Sequence, residues 1–534
     1  MKPLGIRDVI GPVMVGPSSS HTAGALRIAS MVRNLLSAQP VRVRFVLYGS
    51  FSRTYRGHGT DKALVAGMLG LHTDDLRIKD SFDMAADAGL EFEFVPDVST
   101  KTPHPNTVDV TAWDAAGARV EARGVSIGGG AAELVRIDGV NVTVTGEFNN
   151  MIVRQVDMPG TLAHITECLS RRSINIGAAI LYRTRRGGDA FSVFDIDDMV
   201  PEDAIAEILD FHSVRSVRFI PADGLNRKPD AGEAQMTAAE ALELFSKRDF
   251  ASGAQLLERC REERAPISQI MYEREEPLNA TRGIFESASR TYLREALEVM
   301  RKSAQGPLAE PQRSMGGLIG GEAKALSDMD SHQGCADVQM TLLMEYALGV
   351  LETNASMGRI VAAPTAGSSG VIPAVLFALQ ETCGLDDAVL HRGLANAAAI
   401  GMLISRNATV AGAEGGCQAE IGSASAMAAS AAVEMLGGSA QACLEAASMA
   451  LANMLGLVCD PVQGLVEAPC QKRNASAAAN AVMCAHMALA GITNLAPFDE
   501  MVEAMRKVGR VLPMELRETA LGGMAACPSC MGCK

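Results

Sequence analysis

The chain has 534 residues, more than a single hydrophobic core organises, so about three domains are expected. With 48% hydrophobic and 21% charged residues it reads as a globular, Ala- and Gly-rich enzyme, which excludes disorder on a large scale. A net charge of −14 with dispersed basic residues excludes nucleic acid and anionic membrane surfaces as partners.

The N-terminal stretch MKPLGIRDVIGPVMVGPSSSHTAG contains no apolar run of signal-peptide length, so a cytoplasmic protein is expected. Twelve cysteines in such a chain are expected to stay reduced and available for metal or chemistry. Residues 1–145 mix β-branched runs such as VRVRFVLYGS (41–50) with Gly-rich turns and predict an α/β domain. Residues 149–222 alternate strand, helix, strand, strand, helix and strand, the βαββαβ order of a ferredoxin-like module. A polar stretch without periodicity, 223–236, is the expected linker. Thr237 followed by Glu240 is a capping box that opens a third domain, 237–534, expected to be nearly all α-helical with a Cys-rich tail. The uncharged stretch 475–498 is long enough to raise the question of a membrane span, but its Ala, Asn, Ser and His content predicts a buried core helix. The predicted fold class is multidomain α+β.

Three cysteines of the last domain have polar, Gly- or Pro-rich contexts: Cys417 in GAEGGCQAEIG, and Cys459 and Cys470 bracketing CDPVQGLVEAPC. Their spacings match neither zinc-finger nor ferredoxin patterns, and such cysteines also serve as small buried hydrophobes. A core cysteine gains nothing from neighbours such as GGCQ or APCQKRN, so a metal role stands beside the packing role. The tail, CPSCMGC, adds Cys527, Cys530 and Cys533, and exposed terminal thiols are a liability unless they bind metal or react. In the first domain, His21 (GPSSSHTAG), His58 (RGHGTD) and His104 (PHPNT) stand in loops rich in Gly, Pro and hydroxyl residues, where they are either solvated or part of a site. The glycines of SIGGG (126–130) form either an anion-binding nest or, more commonly, a tight turn.

Taken together, GPSSSHTAG, GHGTD, HPNT, SIGGG, GAEGGCQAEIG and CDPVQGLVEAPCQKRNA resemble the bacterial iron–sulfur L-serine dehydratases along nearly the whole chain. The resemblance implies conversion of L-serine to pyruvate and ammonia at a [4Fe–4S] cluster. It implies that Cys417, Cys459 and Cys470 hold three irons, with a tail cysteine, Cys530 before Cys533 or Cys527, on the fourth. Segment 149–222 resembles an ACT domain, with Pro159 and Gly160 in its turn and Asn175 at the start of its second strand. That likeness implies an allosteric amino acid there, or a module that builds a homodimer.

Dehydration of serine removes a weakly acidic α-proton and a poor leaving group, so an electrophile and a base are needed. An open-site iron supplies the first. His58 is the expected base, with His21 and His104 orienting groups around it. Ser18, Ser19, Ser20, Asn106 and Thr107 are expected to bind the carboxylate and ammonium of substrate, and Lys472, Arg473 or Arg406 to add positive charge, although caps and surface cations explain the same residues. A pyridoxal phosphate mechanism needs a Schiff-base lysine, for which Lys324 in GGLIGGEAKAL is the one faint candidate, and it leaves the cysteines idle. The alternatives are an L-cysteine desulfidase-like lyase and an amino-acid sensor without catalysis.

Overall fold

The computed structural model describes residues 3–146, 148–222, 236–282, 284–285, 287–329 and 334–531. The expected linker, apart from Met236, and Cys533 lie outside the described residues. The chain forms two compact units, one from the described parts of Met1–Ser19, Asp74–Leu76 and Pro229–Lys534, the other from those of Ser20–Thr73 and Arg77–Lys228.

The α/β unit contains two sheets. The larger orders its strands Glu91–Asp97, Pro40–Tyr48, Thr107–Asp114, Arg119–Gly128, Ala131–Ile137 and Val140–Val144, and only the first pair is parallel. Alternation along Pro40–Tyr48 fixes its faces: Val43, Phe45 and Leu47 are buried while Arg42 and Arg44 are exposed. The smaller sheet orders Val214–Ile220, Asn149–Val156, Asp189–Ile196 and Ile176–Arg183, all antiparallel. Helices Thr161–Ser170 and Glu202–Leu209 cover one face of it, packing Ile165, Cys168, Leu169, Ala204 and Ile208 onto Met151, Val153 and Phe194. This is the βαββαβ module expected from the sequence.

The helical unit is built around Ser423–Met435, whose residues from Ser423 to Val433 are all buried. Only small side chains permit that, because neighbouring helices approach on every side. Two serines of this helix satisfy their hydroxyls inside the unit: Ser425 donates to the Ala477 carbonyl at 2.8 Å and Ser430 to Asn396 Oδ1 at 2.6 Å. The capping box forms as expected, with Glu240 N donating to Thr237 Oγ1 at 3.3 Å and Thr237 N to Glu240 Oε2 at 2.9 Å. Asp387–Asn407 is long and apolar enough to cross a membrane by length and composition, but 72% of its most apolar window is buried in the unit, as in a core helix. The stretch singled out in the sequence, 475–498, is not one helix: the helix Cys470–Leu489 ends within it and Phe498 opens the next.

The division between units does not follow chain order. The described residues before Ser20 belong with the helical unit, and the α/β region packs with the ferredoxin-like module rather than apart from it. Val13–Val15 pairs antiparallel with Arg359–Val361, the one sheet of this unit among the described residues. Upstream of it, Val9 lies on Gly401, where a Cβ would come within 2.4 Å of Val9 Cγ1, so only glycine lets the segment approach that closely.

Candidate functional site

In the helical unit, three separate segments bring the candidate metal ligands together. Cys417 follows the short helix Gly412–Gly415 and opens a π-helical turn, Gln418–Gly422. Cys459 lies in an extended stretch whose backbone is tied to the C-terminal region, donating to the Leu516 carbonyl and accepting from Glu518 N, each at 2.9 Å. Cys470 is the first residue of its helix, where free N–H groups favour a thiolate. All three are buried.

The donor atoms of Cys417, Cys459 and Glu420 lie within 4.8 Å of one another, and Cys470 is not within that distance of all three. Gly412 makes the room, since a Cβ there would stand 2.4 Å from Glu420 Oε2 and 3.3 Å from Cys459 Sγ. Arg473 donates to Cys417 Sγ at 3.7 Å, to the Val458 carbonyl at 2.8 Å and to Asp460 Oδ1 at 2.7 Å. The hydrogen bond with Cys417, then burial, pushes the Cys459 thiol well above its ordinary range, and burial with the Cys417 charge does the same for Cys470. Burial also raises the Glu420 carboxyl to about 7, and burial with the Glu420 charge raises Glu518 to about 8. Acids and thiols gathered this way ionise together more readily when a cation joins them, so the set could hold a metal ion.

The other cations expected near these cysteines are engaged elsewhere. Arg406 pairs with Asp249 at 2.7 Å and Lys472 with Glu322 at 3.1 Å. Lys324, the faint candidate for a pyridoxal phosphate mechanism, pairs with Asp328 at the end of its own helix. Arg473 alone of the expected cations has a contact with one of the cysteines among the described residues. Cys530 is half-buried in the short helix Pro528–Met531, its N–H donating to the Cys527 carbonyl at 2.9 Å, and Cys527 is exposed. The tail is fixed at Met524, whose N–H donates to Asp460 Oδ2 at 2.6 Å. Glu420 and Glu518 carried no signal in the sequence: a lone Glu within QAEIG or LRET has no spacing that separates it from a surface acid.

In the α/β unit, His21 and His58 are fully buried and stacked, their ring centroids 4.3 Å apart. His21 lies in the π-helical turn Ser19–Ala23, which also holds Ser20; its Nε2 meets Ser50 Oγ at 2.8 Å and its Nδ1 meets Ser20 Oγ at 3.1 Å. His58 sits in the turn before helix Thr60–Leu69, its carbonyl accepting from Thr22 Oγ1 at 2.7 Å. Neither ring nitrogen of His58 has a hydrogen-bond partner among the described residues, and Asn106 Oδ1 is likewise unpartnered. Burial lowers His58 to about 4, and it lowers His21 well below the ordinary histidine range with help from the charges of His58 and His104. His104 accepts from Asn106 N at its Nδ1, 3.1 Å away, and its carbonyl takes the Thr107 hydroxyl at 2.6 Å. Ser18 and Ser19 are buried at the end of the segment that belongs to the helical unit. The glycines of SIGGG form the turn of a β-hairpin, and the Gly130 carbonyl accepts from Arg27 at 2.8 Å. In the ferredoxin-like module, Pro159 and Gly160 are exposed in the turn before Thr161–Ser170, and Asn175, one residue before its strand, donates to Asp197 Oδ2 at 2.7 Å.

Residues 9–134 match the family model of the serine dehydratase beta chain, 150–212 that of the ACT domain, and 262–525 that of the serine dehydratase alpha chain. The L-serine dehydratase of Streptomyces coelicolor is 32% identical over 525 residues, 96% of this chain and 96% of that protein. In Bacillus subtilis the similarity falls on two proteins. The probable L-serine dehydratase alpha chain is 44% identical over 283 residues, covering 52% of this chain and 92% of that one. The probable beta chain is 38% identical over 208 residues, covering 39% of this chain and 94% of that one. The chain therefore belongs to the serine dehydratase family, with a beta-chain part, an ACT domain and an alpha-chain part joined in one polypeptide.

Proposed function

We propose that this chain is an iron–sulfur L-serine dehydratase that releases pyruvate and ammonia from L-serine. The observation that carries the reading is the buried pair Cys417 and Cys459, with the buried Cys470 feeling the Cys417 charge, in a family whose relatives are named for this reaction. Cys417, Cys459 and Cys470 hold a [4Fe–4S] cluster, and Cys530 is the tail residue assigned to its fourth iron. When bound, the cluster supplies a Lewis acid for the leaving hydroxyl.

The protein's own residues handle the proton and orient the substrate. His58 takes the α-proton at a ring nitrogen. Its burial keeps the ring neutral at physiological pH, and its nitrogens have no competing partner among the described residues. His21, fixed by Ser50 and Ser20, holds the His58 ring by stacking, and His104 positions Asn106. Asn106 Oδ1 accepts from the substrate ammonium, while the hydroxyls of Ser18, Ser19 and Ser20 receive its carboxylate. Thr107, whose hydroxyl is committed to the His104 carbonyl, is a positioning residue, and Arg473 acts on Cys417 rather than on substrate. Lys472, expected at the substrate, is paired with Glu322 and takes no part in this reading. Loss of the α-proton and of the hydroxyl as water leaves aminoacrylate, which tautomerises and hydrolyses to pyruvate and ammonium without further help. The ACT domain takes an amino acid that regulates this activity, in a cytoplasmic homodimer.

Anaerobic purification followed by an iron and sulfide count, with pyruvate release from L-serine and sulfide release from L-cysteine measured before and after exposure to air, tests the reading. About four irons per chain, and a serine activity lost in air, are expected. Serine activity in iron-free protein, or sulfide release from L-cysteine with none of pyruvate from serine, overturns it.

A further inference from the structure

The pocket contains an oxygen donor that a set of three cysteines does not call for. Glu420 brings its carboxylate to within 4.8 Å of both Cys417 Sγ and Cys459 Sγ, whereas Cys470 is not part of the set whose donors all lie within that distance of one another. The arrangement is built rather than incidental. The π-helical turn Gln418–Gly422 carries Glu420 back toward Cys417, and Gly412 lacks the side chain that would displace its carboxylate. Arg473, which donates to Cys417 Sγ, is already engaged by Asp460 and the Val458 carbonyl.

A four-iron group spreads its cysteine ligands over several metal atoms, while a single tetrahedral ion draws them together. With metal–sulfur bonds of about 2.3 Å and metal–oxygen bonds of about 2.1 Å, the donors around one zinc-like ion lie about 3.5 to 3.8 Å from one another. The set Cys417, Cys459 and Glu420 is compact enough for that. Two thiolates and a carboxylate also form the mixed soft and hard donor set that suits a borderline divalent ion of the zinc or cobalt type.

We infer that, in cluster-free protein, Cys417, Cys459 and Glu420 bind one thiophilic divalent cation, with Glu420 as its oxygen ligand and Cys470 outside the coordination sphere. Such an ion occupies two of the three cysteines assigned to the cluster, so zinc and cluster rebuilding compete for one pocket. The metal site itself does not depend on the dehydratase reading, because its donor set is read from the cluster-free chain.

The test is an anaerobic titration of Co²⁺ into full-length protein stripped of iron with a chelator under reducing conditions, followed by sulfur-to-cobalt charge-transfer absorption. One Co²⁺ per chain is expected, with the intensity of two thiolates. Cys470→Ser leaves the spectrum and affinity unchanged, Cys417→Ser lowers the charge-transfer intensity by about half, and Glu420→Gln weakens binding by more than the roughly 10- to 100-fold typical of an outer partner. If Cys470→Ser reduces the absorption as much as Cys417→Ser, or if Glu420→Gln binds like the parent, the inference is overturned, as it is by a parent that binds no Co²⁺. Circular dichroism checks each variant. Should Glu420→Gln fail to fold, the pair of cysteine variants decides alone. Serine turnover in the untreated protein is a separate readout, so the failure of either idea is visible without the other.

Discussion

Burying an imidazole without a partner costs little while it is neutral and much when it is charged, and His58 is placed where that difference counts. Its folded pKa, about 4, lies below the unfolded value of about 6.5. The unfolded chain therefore binds the proton first as pH falls, so the stabilisation is complete above about pH 6.5 and is lost as pH drops toward 4. A shift of that size is worth about 3 kcal/mol, and His21, lowered in the same direction, adds to it. The urea midpoint of the α/β unit should fall steeply between pH 6.5 and 4.5, and His58→Gln should flatten that fall. A parallel profile in the variant would show that His58 is not the group responsible. As the proposed base, His58 also decides turnover. Exchange for Gln should lower pyruvate formation at least about 100-fold while leaving iron content unchanged. These histidines were legible in the sequence because imidazole among Gly, Pro and Ser is unusual in a packed core. Glu420 was not legible, because its place beside the cysteines arises only from the π-helical turn that carries it and the room left by Gly412.

Elements formed by local alternation were the ones the sequence made plain. The ferredoxin-like module has apolar residues at period two in its strands and at helical spacing between them, so its order could be read directly from 149–222. The opening segment had no such signal. Ile6–Val9 and Val13–Val15 look like the start of an α/β domain, and what assigns them to the helical unit is pairing with Arg359–Val361 and a buried charge cluster far along the chain. Arg274, fully buried, donates to Asp249 at 2.7 Å and to the Leu4 carbonyl at 2.9 Å, while Glu275 Oε1 accepts from Ile6 N at 2.9 Å and from Ser289 at 3.1 Å. Removing Arg274 takes the ion-pair partner from the buried Glu275 and the donor from the Leu4 carbonyl, while Asp249 keeps Arg406, a loss at the lower end of about 3 to 5 kcal/mol. Arg274→Ala should therefore lower the stability of the helical unit by that order and speed amide exchange at Ile6. Unchanged exchange at Ile6 would mean that the cluster does not hold the segment.

At the scale of the whole molecule, one unit takes its residues from both ends of the chain, and this has a mechanical consequence. A cut within residues 223–235 separates the chain into an N-terminal and a C-terminal fragment, yet the N-terminal fragment still carries the strand that pairs with Arg359–Val361 and the Val9 side chain seated on Gly401. Val9, Ile10 and Met14 are all buried, so releasing the segment exposes apolar surface worth several kcal/mol at about 25 cal/mol per Å². With a site-specific protease sequence inserted in 223–235, the cleaved full-length protein should elute as one species on size exclusion without denaturant. Replacing both Val9 and Met14 by Asp places uncompensated charge in that seam, and after the same cut the double variant should elute as two species. The comparison is decisive because both proteins have the same cut and differ only in the seam. If the cleaved parent separates, or the cleaved double variant stays whole, the opening segment is not what joins the fragments.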